Sequence, residues 1–363
     1  MEKILYHRII AYSSMKKNKK ITIDHRVIGD GEPSFVIPEI GINHEGNLKK
    51  AKRMVRDAYN SGAECVKFQS HIIEDEMIPA AKNVIPGNAS ESIYTIMQRC
   101  SLSEEEEMEL KEYVDSLGMI YLCTPFSKAA ANRLNKMGVS AFKIGSGECN
   151  NYPLVKHIAS FGKTIILSTG MNDIESISKS VKIIEKAGIP YALLHCTSMY
   201  PTPYDKVRLG ALNDLRRAFP KAVIGLSDHS LGNYACFAAV ALGASIIEKH
   251  FTSDRNWPGP DVSISITPSE LEDLIKGCNA IYEAIGGKKE ILKEEQSTIA
   301  FAYACVVTTK DIKKGDTLTK DNVWVKRPGT GEIKAKDYEN ILGKKTTKDL
   351  PKYTQLRWDQ IEK

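Results

Sequence analysis

The fold is decided by GLSDHS at residues 225–230, IIEKHFT at 246–252 and WPGPD at 257–261. His229 and His250 each follow a short apolar run, residues 222–226 and 244–247. Short apolar runs bounded by turn residues suit parallel strands buried on both faces, which puts each imidazole at a strand's carboxyl end. Two imidazoles meeting at the mouth of a sheet can hold a divalent metal. Asp228, Glu248, Lys249 and Asp261 are expected to crowd the same two strand ends.

Working outward, the same kind of run recurs. Residues 35–42, 65–68, 119–123, 141–144, 164–167, 191–195, 222–226 and 245–248 make eight. Amphipathic stretches follow several of them, at residues 48–60, 104–117, 174–187 and 268–285. Ser103 with Glu106 fits a capping box, and Gly62, Gly118, Gly162 and Gly188 fit helix stop signals. Eight β–α pairs within about 250 residues match the arithmetic of a (β/α)8 TIM barrel. An open doubly wound sheet is the alternative, but no G-x-G-x-x-G follows the first run.

The boundaries follow from composition. Residues 1–33 form an N-terminal extension with a short hairpin, in which 21–27 alternates before Gly29-Asp30-Gly31. Residues 34–285 carry the catalytic barrel. The polar stretch 286–300 is expected as a linker, and 301–363 as a small domain of short elements. Met15, ahead of a basic segment, is an alternative start.

Of the 363 residues, 42% are hydrophobic and 26% charged, ordinary values for a globular chain. The net charge of +5 is small against 50 basic and 45 acidic residues, so it gives no argument for nucleic acid. No apolar run reaches the roughly 18 residues of a membrane span. The eight cysteines are scattered singly with no C-x-x-C, a pattern of reduced buried thiols in a cytoplasmic protein.

In a barrel the chemistry collects at the carboxyl ends of the strands. There the sequence offers Glu39, Lys67, Gln69 and His71, Thr124, Lys143 with Ser146, Ser168, then His195, Ser198 and Tyr200, and lastly the two histidines. Lys67, Lys143, Ser146, Ser168 and the Gly-rich turns could cradle a phosphate. A lysine flanked by Val66 and Phe68 needs a negative partner, either an anionic ligand or a neighbouring strand's carboxylate such as Glu39. Two histidines without a Cys ligand argue against structural zinc. Remaining positions filled by water or substrate oxygen suit Mn or Mg.

Longer motifs carry a resemblance. EIGINHEGNLKKA (39–51), VKFQSHIIEDEM (66–77), IPGNASESIYTIM (85–97), YLCTPFS (121–127), KIGSGECNNYPLV (143–155), LSTGM (167–171), LHCTSMYPTP (194–203), GLSDHS and EKHFT-x5-PGPD closely resemble bacterial sialic acid synthases. Residues 302–331, AYACVVTTKDIKKGDTLTKDNVWVKRPGTG, resemble the antifreeze-like (SAF, β-clip) domain that those enzymes carry. The resemblance covers residue 21 to the end. It implies a (β/α)8 barrel in a domain-swapped homodimer that condenses phosphoenolpyruvate with N-acetylmannosamine to N-acetylneuraminic acid. It also implies a divalent metal, Mn foremost with Mg or Co as alternatives.

Residue by residue, the resemblance implies that His229 and His250 bind the metal. Lys67, Thr124, Lys143, Ser146, Ser168 and Ser198 would bind phosphoenolpyruvate. Asn88, Tyr200, Asp261, Phe301 and Arg327 would bind the acceptor sugar, the last two reaching in from the partner subunit. Glu39 is the expected catalytic carboxylate, with Glu248 as a second. Ser198 is a departure, since close bacterial relatives carry Asn there. Rival readings are a legionaminic or pseudaminic acid synthase using a 2,4-diacetamido-trideoxyhexose, or a non-catalytic sugar- or anion-binding protein on the same barrel. For the small domain alone, an ice- or polysaccharide-binding module is the rival.

Overall fold

The computed structural model describes residues 19–87 and 89–362, so Met15 and Asn88 lie outside it. The chain divides into two units, one ending at Gly286 and the other Gly287–Lys363.

The first unit opens with an antiparallel hairpin, β1 (Lys20–Ile23) and β2 (Arg26–Gly29). Eight parallel strands follow: β3 (Phe35–Gly41), β4 (Cys65–Ser70), β5 (Ile120–Pro125), β6 (Ala141–Ile144), β7 (Thr164–Ser168), β8 (Tyr191–Cys196), β9 (Val223–Asp228) and β10 (Ile246–His250). Their order is β5-β4-β3-β10-β9-β8-β7-β6. No ladder joins β5 to β6, yet a Cβ added to Gly145, just past β6, would lie 3.7 Å from Thr124 Cγ2 in β5. The sheet therefore comes close to closing on itself, and the architecture is a TIM barrel wrapped by helices.

Side-chain parity sorts the strand residues into two cores. Phe35, Ile37, Cys65, Ile120, Leu122, Ala141, Ile166, Ala192, Leu194, Val223 and Ile246 fill the barrel interior. Ile21, Ile23 and Ile28 of the hairpin join this cluster, so β1–β2 packs on the barrel core. The alternate residues, among them Val36, Val66, Phe142, Ile165, Leu193, Ile224 and Ile247, face the surrounding helices. Each wholly buried aliphatic side chain contributes about 1.5–3 kcal/mol, so this double layer holds the scaffold rigid under the strand ends.

Local signals set the helix limits. Ser103 and Glu106 cap the helix Glu104–Ser116 reciprocally, and Thr267 with Glu270 do the same for Pro268–Ala284. Gly118 takes φ 70° straight after the first of these, a left-handed stop that a side chain would strain. All eight cysteines are free and buried. Among the described residues no helix is long and apolar enough to cross a membrane.

The second unit is built on the antiparallel pair β11 (Cys305–Thr308) and β12 (Val323–Lys326). Isolated bridges such as Ile312↔Leu350 and Thr317↔Lys345 extend it. Its own core gathers Val306, Ile312, Leu318, Val323, Ile333, Ile341, Leu350 and Leu356. The stretch expected as a linker differs from expectation. It holds a 3-10 turn, Lys293–Glu295, running into the helix Gln296–Ala302, which shows no buried residue. With no apolar stripe to bury, that helix left no periodic signal in the sequence.

Candidate active site

Residues at the top of the barrel interior all share the inward parity. On β3 and β4 these are Glu39 and Lys67, paired in register; on β10 it is Glu248. Lys67 Nζ lies 2.6 Å from Glu39 Oε2 and 3.8 Å from Glu248 Oε2, and donates to Thr124 Oγ1 at 3.1 Å. Lys143 Nζ lies 3.4 Å from Glu248 Oε1 and donates to Ser168 Oγ at 2.7 Å. Ser227 Oγ donates to Glu248 Oε1 at 2.8 Å. Two ammonium groups thus straddle a pair of carboxylates inside the barrel, a neutral quartet whose charges offset one another's desolvation.

The environment drives the two carboxylates apart. Burial pushes Glu39 up to about 7, with Lys67 pulling it back and Glu248 adding to the rise. Burial also pushes on Glu248, but Lys143 and Lys67 together outweigh it and hold that carboxyl below its ordinary value. For Lys67, burial is outweighed by Glu248 and Glu39, which hold the ammonium above the usual lysine value. Burial wins at Lys143, which lies below the usual value although Glu248 opposes the shift. Carboxylates split in this way divide the labour: one stays charged, and the other gains or loses its proton near neutral pH.

The histidines stand beside this quartet. Their ring centroids are 5.3 Å apart, and Tyr200 stacks on His229 at 4.1 Å while presenting its edge to His250 at 6.0 Å. His229 Nδ1 lies 3.0 Å from Thr197 O, which makes Nδ1–H the donor; burial works against its charge, but Cys196 and Thr197 outweigh it and hold this imidazole above its ordinary value. His250 Nδ1 is buried without a hydrogen-bond partner, its nearest acid being Asp261 Oδ2 at 3.8 Å. Burial and the neighbouring His229 hold His250 well below its ordinary value, that is, neutral. Burial also pushes Asp261 up to about 6. Among the described residues no group of three or more His, Cys, Asp and Glu is placed to hold a metal ion.

The remaining expected residues fall on the adjoining loops. Ser146 Oγ accepts from Gly170 N–H at 3.0 Å, and Asn172 Nδ2 donates to Ser146 O at 3.0 Å. Ser198 and Cys196 meet at the same turn, so that a Cβ on Gly170 would collide with Ser198 Oγ, Ser146 Oγ and Cys196 Sγ. Phe301 lies exposed in the helix Gln296–Ala302, and Arg327 is exposed just past β12. Both belong to the second unit, and the position of Asn88 is outside the described residues.

Three residues expected at the strand ends point elsewhere. Asp228 and Lys249 form an ion pair of 2.6 Å on the outer side of the barrel, joined by Ser230 and Cys236. His195 also faces outward, its Nε2 lying 2.7 Å from Val207 O. Each is one residue out of phase with an inward neighbour (Ser227, Glu248 and Cys196), so pleat parity turns it away. Parity would also have singled out Gln69, whose Nε2 donates to Glu39 Oε1 at 3.0 Å, and Ser227.

The NeuB family profile matches residues 54–290, and the SAF domain profile matches residues 303–362. An N,N'-diacetyllegionaminic acid synthase from Campylobacter jejuni is 39% identical over 89% of this chain and 99% of its own. The human N-acetylneuraminate-9-phosphate synthase is 33% identical over 88% of this chain and 90% of its own. The crystal structure of N-acetylneuraminic acid synthetase from Leptospira borgpetersenii, in complex with citrate, superposes with a TM-score of 0.71 at 34% identity. That match covers 78% of this chain and 95% of the other. With a family profile over most of its barrel, a SAF domain behind it and relatives matched over nearly their whole length, the chain belongs to the NeuB family.

Proposed function

We propose that the chain joins phosphoenolpyruvate to the open-chain aldehyde of an acetamido sugar, releasing phosphate and a nonulosonic acid. The observation that carries the reading is the quartet Glu39–Lys67–Glu248–Lys143 beside two converging imidazoles. Lys67 and Lys143 take the phosphate and carboxylate of phosphoenolpyruvate, exchanging part of their contact with the glutamates for the ligand's charge. Thr124, Ser146, Ser168 and Ser198 supply hydroxyls to the same anion. Tyr200 and Asp261 line the acceptor side, Asn88 is assigned to the same sugar by its sequence motif alone, and Phe301 and Arg327 are brought by the partner chain of a domain-swapped homodimer.

Carbon three of phosphoenolpyruvate attacks the aldehyde carbon, which leaves carbon two electron-poor. Water adds to carbon two, its proton passing to Glu39, while the former aldehyde oxygen takes up a proton and becomes a hydroxyl; the C–O bond to phosphate then breaks as the hydroxyl on carbon two gives up its proton and becomes the ketone. Glu39, poised near neutrality, takes that proton; Glu248 stays ionised and holds both lysines in place. The two imidazoles fit a divalent metal, Mn foremost with Mg or Co as alternatives, because their rings converge at 5.3 Å and the buried Nδ1 of the neutral His250 lacks any partner. Bound there, such an ion supplies Lewis-acid polarisation of the aldehyde oxygen.

The acceptor has two candidates. N-acetylmannosamine is the one implied by the sequence motifs. A 2,4-diacetamido-trideoxyhexose is favoured by relatives, since the legionaminic acid synthases of Campylobacter and Legionella are 39% and 34% identical, against 33% for the human neuraminate enzyme. Phosphate release by the full chain, with each sugar in turn and with chelator or Mn, tests the whole reading. We expect metal-dependent release with one sugar. No release with any acceptor in the presence of Mn refutes it.

A further inference from the structure

We propose that His71 and Glu76 are positioning residues, which fix the direction of the Gln69 amide and through it the orientation of Glu39. The inference rests on reading Glu39 as the group that takes the water's proton.

Four side chains form an unbroken line. Glu76 Oε2 lies 2.8 Å from His71 Nδ1, and His71 Nε2 lies 3.1 Å from Gln69 Oε1. Gln69 Nε2 then donates to Glu39 Oε1 at 3.0 Å. The His71 side chain is 1% exposed and stacks on Phe126 at 4.6 Å with an interplanar angle of 15°, which keeps its two nitrogens in their places. Gly41, at φ 54° beside the bulge in β3, leaves the space for the Gln69–Glu39 bond. A Cβ there would sit 3.1 Å from Glu39 Oε1 and 3.2 Å from Gln69 Nε2.

The logic is one of donors and acceptors. A primary amide has a donating and an accepting end of nearly equal shape, so nothing in its packing chooses between them. Here the choice is made by His71. Its Nδ1 faces the Glu76 carboxylate and its Nε2 faces the Gln69 oxygen, both acceptors, so the ring that fits this line carries a hydrogen on each nitrogen, with the negative Glu76 beside it. The Gln69 oxygen answers the hydrogen at Nε2, and the amide NH2 is left facing Glu39. Without that charge the ring is left neutral with a single hydrogen, and when this hydrogen sits at Nδ1 the lone pair lies at Nε2. Gln69 would then turn and present its oxygen to the carboxylate, driving Glu39 out of line.

The test uses the full chain with Glu76→Gln and Glu76→Asp, each also made in a Glu39→Gln background. Glu76→Gln is expected to lower kcat about 10- to 100-fold, the usual worth of one hydrogen bond to a charged group, with KM for phosphoenolpyruvate within about twofold. Glu76→Asp restores most of the loss, and neither change lowers the rate further once Glu39 is Gln. His71→Phe, which keeps the stack on Phe126, carries the same expectation as Glu76→Gln if the latter does not fold. Unchanged kcat, an equal loss in Glu76→Asp, or losses that multiply in the double variants overturn the relay. Near-normal turnover of Glu39→Gln alone instead removes the underlying assignment of Glu39.

Discussion

Lys67 Nζ and Glu39 Oε2 lie 2.6 Å apart inside the barrel, with side chains 4% and 2% exposed. The contact is the carboxylate pairing that a lysine between Val66 and Phe68 requires, and it ties the proposed base to the proposed anion site. Glu39→Gln separates structure from chemistry here, because the amide keeps the shape and can still accept from Lys67. We expect the variant to fold, to bind phosphoenolpyruvate, and to lose about 10²–10⁴-fold in turnover, the usual range for removing a general base. Single-turnover phosphate release together with a binding titration measures both halves.

The acid side of the pH profile follows from the same carboxyl. Burial pushes Glu39 up to about 7, so its ionised form is lost as pH falls through that value. A base must be ionised, and the rate is therefore expected to fall about tenfold per unit below that point and to level off above it. Glu248, held below the ordinary carboxylate range mainly by Lys143 and Lys67, stays charged throughout. The pH dependence of kcat under saturating substrates checks this; a limb near the ordinary glutamate value would reassign the group.

Much of the barrel was legible because strands buried on both faces leave continuous apolar runs, and eight runs at barrel spacing admit few alternatives. The polar residues at their ends were legible as a set, but not their directions. Asp228 and Lys249 neighbour Ser227 and Glu248 in sequence yet pair with each other outside the barrel, because the pleat alternates at every residue. The quartet itself needs strand order: Glu39 meets Lys67 across β3 and β4, while Glu248 comes from β10 on the other side of β3. No local pattern encodes that closure. The helix Gln296–Ala302 escaped for the opposite reason, having no buried face to mark it.

Gly170 tests the anion site without touching a charge. A Cβ at this position would lie 2.8 Å from Ser146 Oγ and closer still to Ser198 Oγ, so Gly170→Ala must push one or both hydroxyls aside. Because the backbone can stay in place, the fold should survive. The expected result is a rise of about tenfold in KM for phosphoenolpyruvate, the value of one or two displaced hydrogen bonds, with a smaller change for the sugar. Steady-state kinetics varying each substrate in turn distinguishes the two.

Mixing two inactive chains tests whether the C-terminal unit serves another copy. Glu39→Gln disables a barrel, and Arg327→Ala disables the proposed reach of the second unit. In a domain-swapped dimer, a mixed pair unites an intact barrel with an intact Arg327 from its partner. Co-expressed chains are therefore expected to regain about a quarter of wild-type activity, the share of active sites that random pairing restores. Activity no higher than that of either variant alone would mean that each barrel is completed by its own chain.

Glu107 offers a test of stability remote from the chemistry. It is buried on the inner face of the helix Glu104–Ser116, accepts from Ser70 Oγ at 2.9 Å and lies 3.2 Å from Arg133 Nη1. Burial pushes its carboxyl up to about 7, with Arg133 and Ser70 pulling the other way. The folded chain holds this proton more tightly than the unfolded chain does, so the contribution to stability is complete below the unfolded value near 4.5 and is lost as pH rises through about 7. At 1.36 kcal/mol per unit, the loss is at most about 3 kcal/mol. Glu107→Gln resembles the protonated acid and cannot ionise, so it should match the parent in mildly acidic buffer and exceed it above neutrality. Urea unfolding at a series of pH values measures the difference. Parallel curves for the two proteins would mean that Arg133 keeps Glu107 ionised throughout.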